Sequence, residues 1–300
     1  MEIQQIRSFL AVARLGRFAK AADSIHRTQP AVTSAIKALE RELGVKLFER
    51  RGRRATISPA GEALLSEAGP ALQTWEGLKD RLAEHLDGET RGTLRIGAGE
   101  SSILYLLPAF LEKFRKSNPK VRVILHNQRT ADTLKMLKNG ELDLGIRSVS
   151  SVPAWAFYRP CRTYNRLAVC AKGDPFAKGR GVTLEELSRV PLLFPGSQSI
   201  TRLLVEEAMT KAGLSYEIGL EAGGWEAIKT YAAAGFGVAV VPTVCLTRDD
   251  RRRLDARDAS KLFGKDSYGI IIRKGGALPR SARELIRLID PGFPLERKEL

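Results

Sequence analysis

The chain has 300 residues, 43% of them hydrophobic, enough for a sizeable core and a length that favours two or three domains over one; a disulfide-stapled miniprotein is excluded. Its three cysteines, Cys161, Cys170 and Cys245, are widely spaced and form no C-x-x-C pair, which excludes the common zinc and redox motifs and leaves no expected metal or cofactor. With 49 basic against 34 acidic residues the formal charge is +15, so an anionic partner is expected; no run of eighteen apolar residues and no signal-peptide pattern occur, so the expected location is the cytoplasm, with no membrane partner.

The charge is unevenly spread. Residues 1–60 carry a net +7 and residues 61–90 a net −5, a basic head followed by an acidic stem. In the head, Ile3, Ile6, Phe9, Leu10 and Ala13 recur at helical spacing and predict a helix over 2–15 that stops near Gly16. A short second helix, 18–25, carries Ala21 and Ala22, small enough for a neighbouring helix to approach closely. Thr28 then offers a hydroxyl cap and Pro30 fits a first helical turn, so a third helix starts at Gln29. Val32, Ile36, Leu39 and Leu43 line its apolar side, while Gln29, Thr33, Ser34 and Lys37 form an outward strip.

That pattern fits a helix-turn-helix, whose second helix points its N-terminal side chains at base edges in the major groove. Glutamine can make two hydrogen bonds to adenine, a threonine methyl can touch thymine, and Lys37 can reach guanine or phosphate. An ordinary helical bundle would leave the same strip in water. The segment that follows decides between the two: VKLFERRGRRATIS reads as two short strands turning at Gly52, with Arg50, Arg51, Arg53 and Arg54 at the tip. Four arginines beside one turn repel one another unless phosphates neutralise them, which predicts a DNA-gripping wing.

Together these residues resemble the LysR-type transcriptional regulators. The matching string is Ala21-Ala22, Thr28-Gln29-Pro30-Ala31-Val32, Ile36, Leu39-Glu40, Leu43-Gly44, Leu47-Phe48, Arg50 and Ser58-Pro59-Ala60-Gly61. The resemblance implies that Gln29, Pro30, Thr33 and Ser34 approach bases and that Arg50 and Arg53 contact backbone or minor groove. Arg17, where a capping Ser is usual, and Ala35, where a polar residue is frequent, depart from the pattern. The full set of expected DNA contacts is Thr28, Gln29, Pro30, Thr33, Ser34, Lys37, Arg50, Arg53 and Arg54.

Residues 59–86 read as one long helix, bent locally at Pro70. Leu64, Ala68, Ala71, Trp75, Leu78 and Leu82 alternate four and three residues apart and predict a coiled-coil seam, broadened by Leu65, Leu72 and Leu86; the alternative is packing of the helix on its own domain. Such a stem would pair two heads on an interrupted inverted repeat. The resemblance implies further pairing through the rest of the chain, giving a homodimer or homotetramer, and makes RNA polymerase a further candidate partner. Residues 87–92, polar with Gly88 and Gly92, are the expected hinge.

Beyond the hinge, strand-like and helical runs alternate in α/β order with parallel strands: 93–97, 101–117, 121–127, 131–139 and 142–147, then 166–171, 184–190, 191–194, 200–212, 216–221, 225–234 and 238–241, and finally 268–273 and 280–289. This body resembles the two-lobed, periplasmic-binding-protein-like α/β effector domain of the same family. The implied organisation is a winged helix-turn-helix over 1–58, a linker helix over 59–88, and an effector domain over 92–300. Within the last, 92–161 with 267–300 form one lobe and 162–266 the other.

Ligands of α/β sheets bind beyond strand ends, where helix starts present amides. By that rule the expected effector contacts are Ser101, Ser102, Thr130 and Arg147 from one lobe, and Pro195, Ser197, Gln198, Ile200, Thr201, Trp225 and Glu226 from the other. Hydroxyls, amides and Arg147 suit a carboxylate and Trp225 offers an apolar face, so a small organic acid, aromatic if it stacks there, is the expected small-molecule effector; Glu226 argues against a purely anionic one.

Two rivals remain. Gly97-Ala98-Gly99 after a strand suggests a nucleotide-dependent enzyme, but Ser102 stands where the third glycine belongs and no acidic residue ends the next strand. His26, His85 and His126 are scattered, and neither G-x-S-x-G nor H-E-x-x-H occurs, so catalysis is not expected. A thiol- or peroxide-responsive regulator of the same fold is the other alternative, with Cys161 and Cys170 as its candidate pair.

Overall fold

A computed structural model of the chain describes residues 1–51, 54–149, 151–196, 199–276 and 278–295. The head holds three helices, α1 (Ile3–Leu15), α2 (Phe18–Ser24) and α3 (Gln29–Leu43), followed by a hairpin of β1 (Phe48–Arg51) and β2 (Arg54–Ile57). Gly16 and Gly44 adopt left-handed φ of 65° and 68°, the conformation that ends α1 and α3 without a Cβ clash. The Thr28 hydroxyl accepts from the Ala31 amide at 3.4 Å, as the sequence predicts for a cap. Arg17, at the corresponding place before α2, supplies no side-chain cap. Phe9, Val12, Ala21, Val32, Ile36, Leu39 and Leu47 form the buried core of the head. Leu43, expected on the same apolar face, is instead 40% exposed at the last turn of α3.

The stem is not one helix. It comprises α4 (Pro59–Glu76) and α5 (Leu78–Asp87), and the break falls at Gly77. Pro70 is buried inside α4, where Thr74 Oγ1 donates to its carbonyl at 2.9 Å. Gly77, which lacks a side chain to hold the turn, is where the helix yields. The predicted seam is likewise divided between two roles. Leu64, Leu65, Ala68 and Leu72 pack into the head, the alternative considered for this helix, whereas Trp75, Leu78, Leu82 and Leu86 remain exposed, Leu82 at 62% and Leu86 at 78%.

The linker then docks on the body. A Cβ at Gly69 would be driven into the Asn139 carbonyl, and one at Gly140 (φ 68°) into Pro70. Gln73 donates its side-chain amide to Asp143, whose other oxygen accepts the Arg95 amide at 2.6 Å. Arg14 reaches Glu141 at 3.3 Å and Lys135 reaches Glu62 at 3.7 Å. Burial pushes the Asp143 carboxyl up to about 6, with the Arg95 amide opposing the rise.

The body contains β3 (Gly92–Ala98), a π-helical turn Ser102–Leu106 running into α6 (Leu107–Ser117), β4 (Val121–Asn127), α7 (Thr130–Lys138), β5 (Leu144–Arg147), β6 (Ala156–Tyr164) and β7 (Arg166–Ala171). It continues with α8 (Leu184–Ser188), β8 (Leu192–Phe194), α9 (Ile200–Lys211), β9 (Ile218–Glu221), α10 (Trp225–Ala233), β10 (Ala239–Pro242), α11 (Asp250–Arg253), β11 (Leu254–Asp258), α12 (Ser260–Phe263), β12 (Asp266–Arg273) and α13 (Arg280–Ile289).

The first sheet has the order β4-β3-β5-β12-β6. Its four pairings mix directions: β3 runs parallel to β4 and β5, as expected, but β12 is antiparallel to β5 and β6. The strand β6 was not foreseen, and it crosses the expected lobe boundary at residue 161, carrying the first sheet on to Tyr164. Its Pro160 disguises it as a loop; the edge position tolerates the missing amide, and a register shift opposite Gly269 absorbs the irregularity. The second lobe contains an antiparallel sheet β10-β7-β11 and a parallel pair β8-β9, joined through a bridge between Leu192 and Val238.

Gly69 sits inside a helix, where alanine would ordinarily add about 1 kcal/mol of helix propensity. Gly69→Ala is expected to reverse that gain by driving the linker off the body. Small-angle scattering should show a larger radius of gyration, and an unchanged radius would refute the docking.

Candidate functional site

The first candidate surface is the outer face of α3. Gln29, Pro30, Ser34 and Lys37 are exposed along it, with Thr28 at the cap. Thr33 is half-buried and its hydroxyl donates to the Gln29 carbonyl at 2.9 Å, so the hydrogen is spent within the helix and the methyl and lone pairs remain for a ligand. On the hairpin Arg54 is exposed, and Arg50 pairs with Ala55 across the strands. Arg53 lies outside the described residues.

Glu40, on the opposite side of α3, fixes the hairpin to this helix. Its Oε1 accepts the amides of Leu47 at 2.9 Å and Phe48 at 3.4 Å, and its Oε2 meets Lys46 at 3.0 Å. Burial works to raise the Glu40 carboxyl, yet these donors outweigh it and hold the group below the usual carboxylate range. The Phe48 ring then packs tilted against Phe9 at 5.5 Å and edge-on against Phe18 at 6.1 Å, and the Ala55 amide donates to the Gly16 carbonyl at 3.0 Å. Helix and wing are therefore held as one rigid reading unit.

The second candidate is an open cleft of about 1040 Å³ between the lobes. The expected Ser101, Ser102, Thr130, Arg147, Pro195, Ile200, Thr201 and Trp225 all line it. Ser197 and Gln198 lie outside the described residues. Glu226 does not face the cleft: it accepts Tyr105 Oη at 2.5 Å and Lys229 Nζ at 2.9 Å behind the start of α10. Where a carboxylate was expected at this end, Glu100 stands instead.

The Arg147 guanidinium donates through Nε to Thr130 Oγ1 at 3.0 Å and through Nη1 to the Gln128 carbonyl. Burial lowers its pKa, although Tyr268 and Asp132 oppose the shift. Ser102 has no exposed surface and its hydroxyl has no hydrogen-bond partner among the described residues. Ser101 Oγ and Tyr268 Oη lie 2.9 Å apart, and burial pushes the Tyr268 hydroxyl far up, so it stays protonated. Tyr268 and Glu100 are among the cleft residues that sequence reasoning missed; Tyr268 comes from β12, a strand whose return to the first lobe is implied by the family resemblance and by no local pattern.

The glycines of Gly97-Ala98-Gly99 have packing reasons. A Cβ at Gly97 would strike Leu142 and Thr133, and one at Gly99 would lie 3.4 Å from Arg147 Nη2. The motif makes room for side chains, which accounts for it without a phosphate.

Comparison with known proteins places this architecture. A family model described as the LysR substrate binding domain matches residues 87–293, and a bacterial regulatory helix-turn-helix model of the lysR family matches residues 3–62. The chain belongs to the LysR family of transcriptional regulators. Among curated relatives of this LysR regulator, SsuR of Burkholderia cenocepacia is 30% identical over 97% of this chain and 95% of its own length. CysB of the same organism is 28% identical over 97% and 94%. Among solved structures, a full-length OxyR variant from Pseudomonas aeruginosa superposes with a TM-score of 0.74 at 23% identity, covering 96% of this chain and 97% of that one. CbnR complexed with its target DNA gives 0.62 at 23% identity, covering 97% and 99%.

In this LysR head, Glu40→Ala would leave two buried amides without an acceptor and is expected to cost about 2–4 kcal/mol, measurable by urea unfolding. Because the folded state holds Glu40 below its ordinary value, its contribution is complete above the unfolded pKa and is lost as pH falls through the folded one. The stability advantage over Glu40→Gln should therefore shrink below about pH 4.

Proposed function

We propose that the chain acts as a sequence-specific transcriptional regulator in which paired heads read an interrupted inverted repeat and a small molecule in the interlobe cleft sets the response. The observation that carries this reading is the rigid union of the exposed α3 strip with an arginine-bearing hairpin, in a chain matched along its length by both LysR models. Gln29 and Pro30 begin the strip at the helix start, where amides face phosphate; Ser34 and Lys37 continue it, with the half-buried Thr33 beside them. Arg50, Arg53 and Arg54 are assigned to backbone or minor groove, and Thr28 to the phosphate beside the cap. CbnR, with the same fold, is described in complex with its target DNA, which supports this docking.

The exposed stripe Trp75, Leu78, Leu82 and Leu86 supports pairing of two linkers, as a homodimer or within a homotetramer. Two heads then engage two half-sites, and their linkage raises the effective concentration of the second. The domain limits that follow are a head over 1–58, a linker over 59–88 and an effector domain beyond 92. The cleft is assigned a binding role and not a catalytic one; the relatives matched are transcriptional regulators. No helix among the described residues is long and apolar enough to cross a membrane. The place of action follows from the partner, operator DNA.

A thiol-based response has less support. OxyR neighbours exist, one of them described as bound to hydrogen peroxide. Here burial raises all three thiols, Cys170 to about 11 with Asp174 and Asp255 adding to the shift, so little thiolate is present near neutrality. Cys161 packs against the core of the first lobe and Cys170 inside that of the second, so the candidate pair is divided between cores.

Selection of random duplexes by the full-length protein should recover a two-fold symmetric site, and the lack of any sequence preference would defeat the reading. On that site Gln29→Ala is expected to reduce discrimination at one base pair by roughly 1–3 kcal/mol. Arg54→Ala should weaken all sequences alike and lower the salt slope by about one.

A further inference from the structure

The cleft presents two half-buried charges of opposite sign that the protein leaves without an ionic partner. Arg147 is spent on Thr130 Oγ1 and the Gln128 carbonyl, and among the described residues no carboxylate pairs with it. Glu100, next to the Gly99 on which that guanidinium rests, turns across the lobes instead. Its carboxylate abuts Gly224 (φ 83°), where a Cβ would collide with it, and takes the Trp225 amide at the start of α10. No lysine or arginine among the described residues forms a salt bridge with it.

The other charges lining the cleft are already answered. Glu221 meets Arg202 at 2.5 Å and Asp266 meets Arg166 at 3.4 Å, while Arg129 and Asp132 are exposed to water. Two more groups suit an anion on the Arg147 side: the unpartnered, fully buried Ser102 hydroxyl and the start of α7, which has no side-chain cap. Burial raises the Glu100 carboxyl, reinforced by the nearby charge of Glu226, and burial lowers Arg147; each charge is under-compensated in the direction that a counter-charge would relieve.

Resting on the cleft reading above, we propose that the effector is a zwitterion, a small amine-bearing acid such as a free amino acid. Its anionic end is taken by Arg147, Ser102 and the start of α7, and its ammonium by Glu100. An ammonium arriving at Glu100 shares the carboxylate that takes the Trp225 amide, so binding acts directly on a contact between the lobes. A plain organic acid would satisfy Arg147 and leave Glu100 beside it uncompensated.

The test is titration calorimetry of the full-length protein at neutral pH with the common L-amino acids, β-alanine and 4-aminobutyrate, each beside its N-acetyl and deaminated hydroxy-acid counterparts. At least one free amino compound is expected to bind roughly tenfold or more tightly than both counterparts, the gain typical of a charge-assisted contact. In Glu100→Gln, which keeps an acceptor for the Trp225 amide but no charge, that gap should close. Hydroxy acids binding as well as their amino partners, with Glu100→Gln indifferent, would overturn the zwitterion while leaving the cleft as the effector site if Arg147→Met abolishes their binding. Amino compounds that bind equally well to Arg147→Met would overturn the cleft itself as the site. Binding by none of the free amino compounds would also overturn the zwitterion.

Discussion

Lys229 has no exposed surface, and its ammonium is held by Asp250 Oδ2 at 2.6 Å, the Cys245 carbonyl at 2.7 Å and Glu226 Oε1 at 2.9 Å. A buried cation tolerates no missing partner; removal of one typically costs about 3–5 kcal/mol. Asp250 answers in kind. Burial works against its ionisation, yet donors from Lys229, Thr247 and Arg253 hold it far below the usual carboxylate range. This one ammonium therefore fixes α10 against the loop before α11, and with it the position of Gly224 and Trp225 at the cleft. It also fixes which way Glu226 points. Drawn back by Lys229 and by Tyr105 from the first lobe, Glu226 leaves the cleft rim, and Glu100 comes across to fill the α10 start.

The linker obeys a different constraint, that of size. Gly69 and Gly140 let a helix and a helix-end loop approach until backbone meets backbone, and the buried Asp143 is shared between the Gln73 side chain and the Arg95 amide. The same helix serves the head with Leu65 and Ala68, the body with Gly69 and Pro70, and the solvent-facing side with Trp75. A period read from sequence shows that such a helix is amphipathic; it does not show how many neighbours divide the apolar face.

What was legible in the residues follows the range of the forces involved. The head was legible because its signals are local: a cap at Thr28, a proline in the first turn, left-handed glycines at Gly16 and Gly44. The parallel half of the first sheet was legible from strand ends and helix starts, and so was the placement in the cleft of eight of the eleven residues expected to contact an effector. The remainder depends on contacts distant in sequence. β6 carries a proline that only its edge position excuses, and the antiparallel return of β12, which brings Tyr268 to Ser101, is a matter of topology. The choice between Glu100 and Glu226 was invisible because it is made by a lysine whose partner lies 21 residues away. Residues Ser197, Gln198 and Arg53 fall outside the described parts of the chain.

The route from cleft to DNA is constrained by where the linker touches the body. Among the described residues, the hydrogen bonds and ion pairs that tie head and linker to the body end on the first lobe: Glu141 and Asp143 after α7, Lys135 on it, Lys120 before β4, and Glu284 and Arg280 on α13. The second lobe takes no part in this set. A ligand that alters the lobe angle thus moves the second lobe relative to a block made of head, linker and first lobe, and leaves the internal contacts of that block intact. A ligand shifts an equilibrium only through a difference between two states, and the states that differ for DNA are arrangements of several subunits. Under the proposed cleft control, a change of lobe angle leaves these ties to the head in place, so its effect is expected between subunits, where pairing would serve the switch as well as the grip on two half-sites.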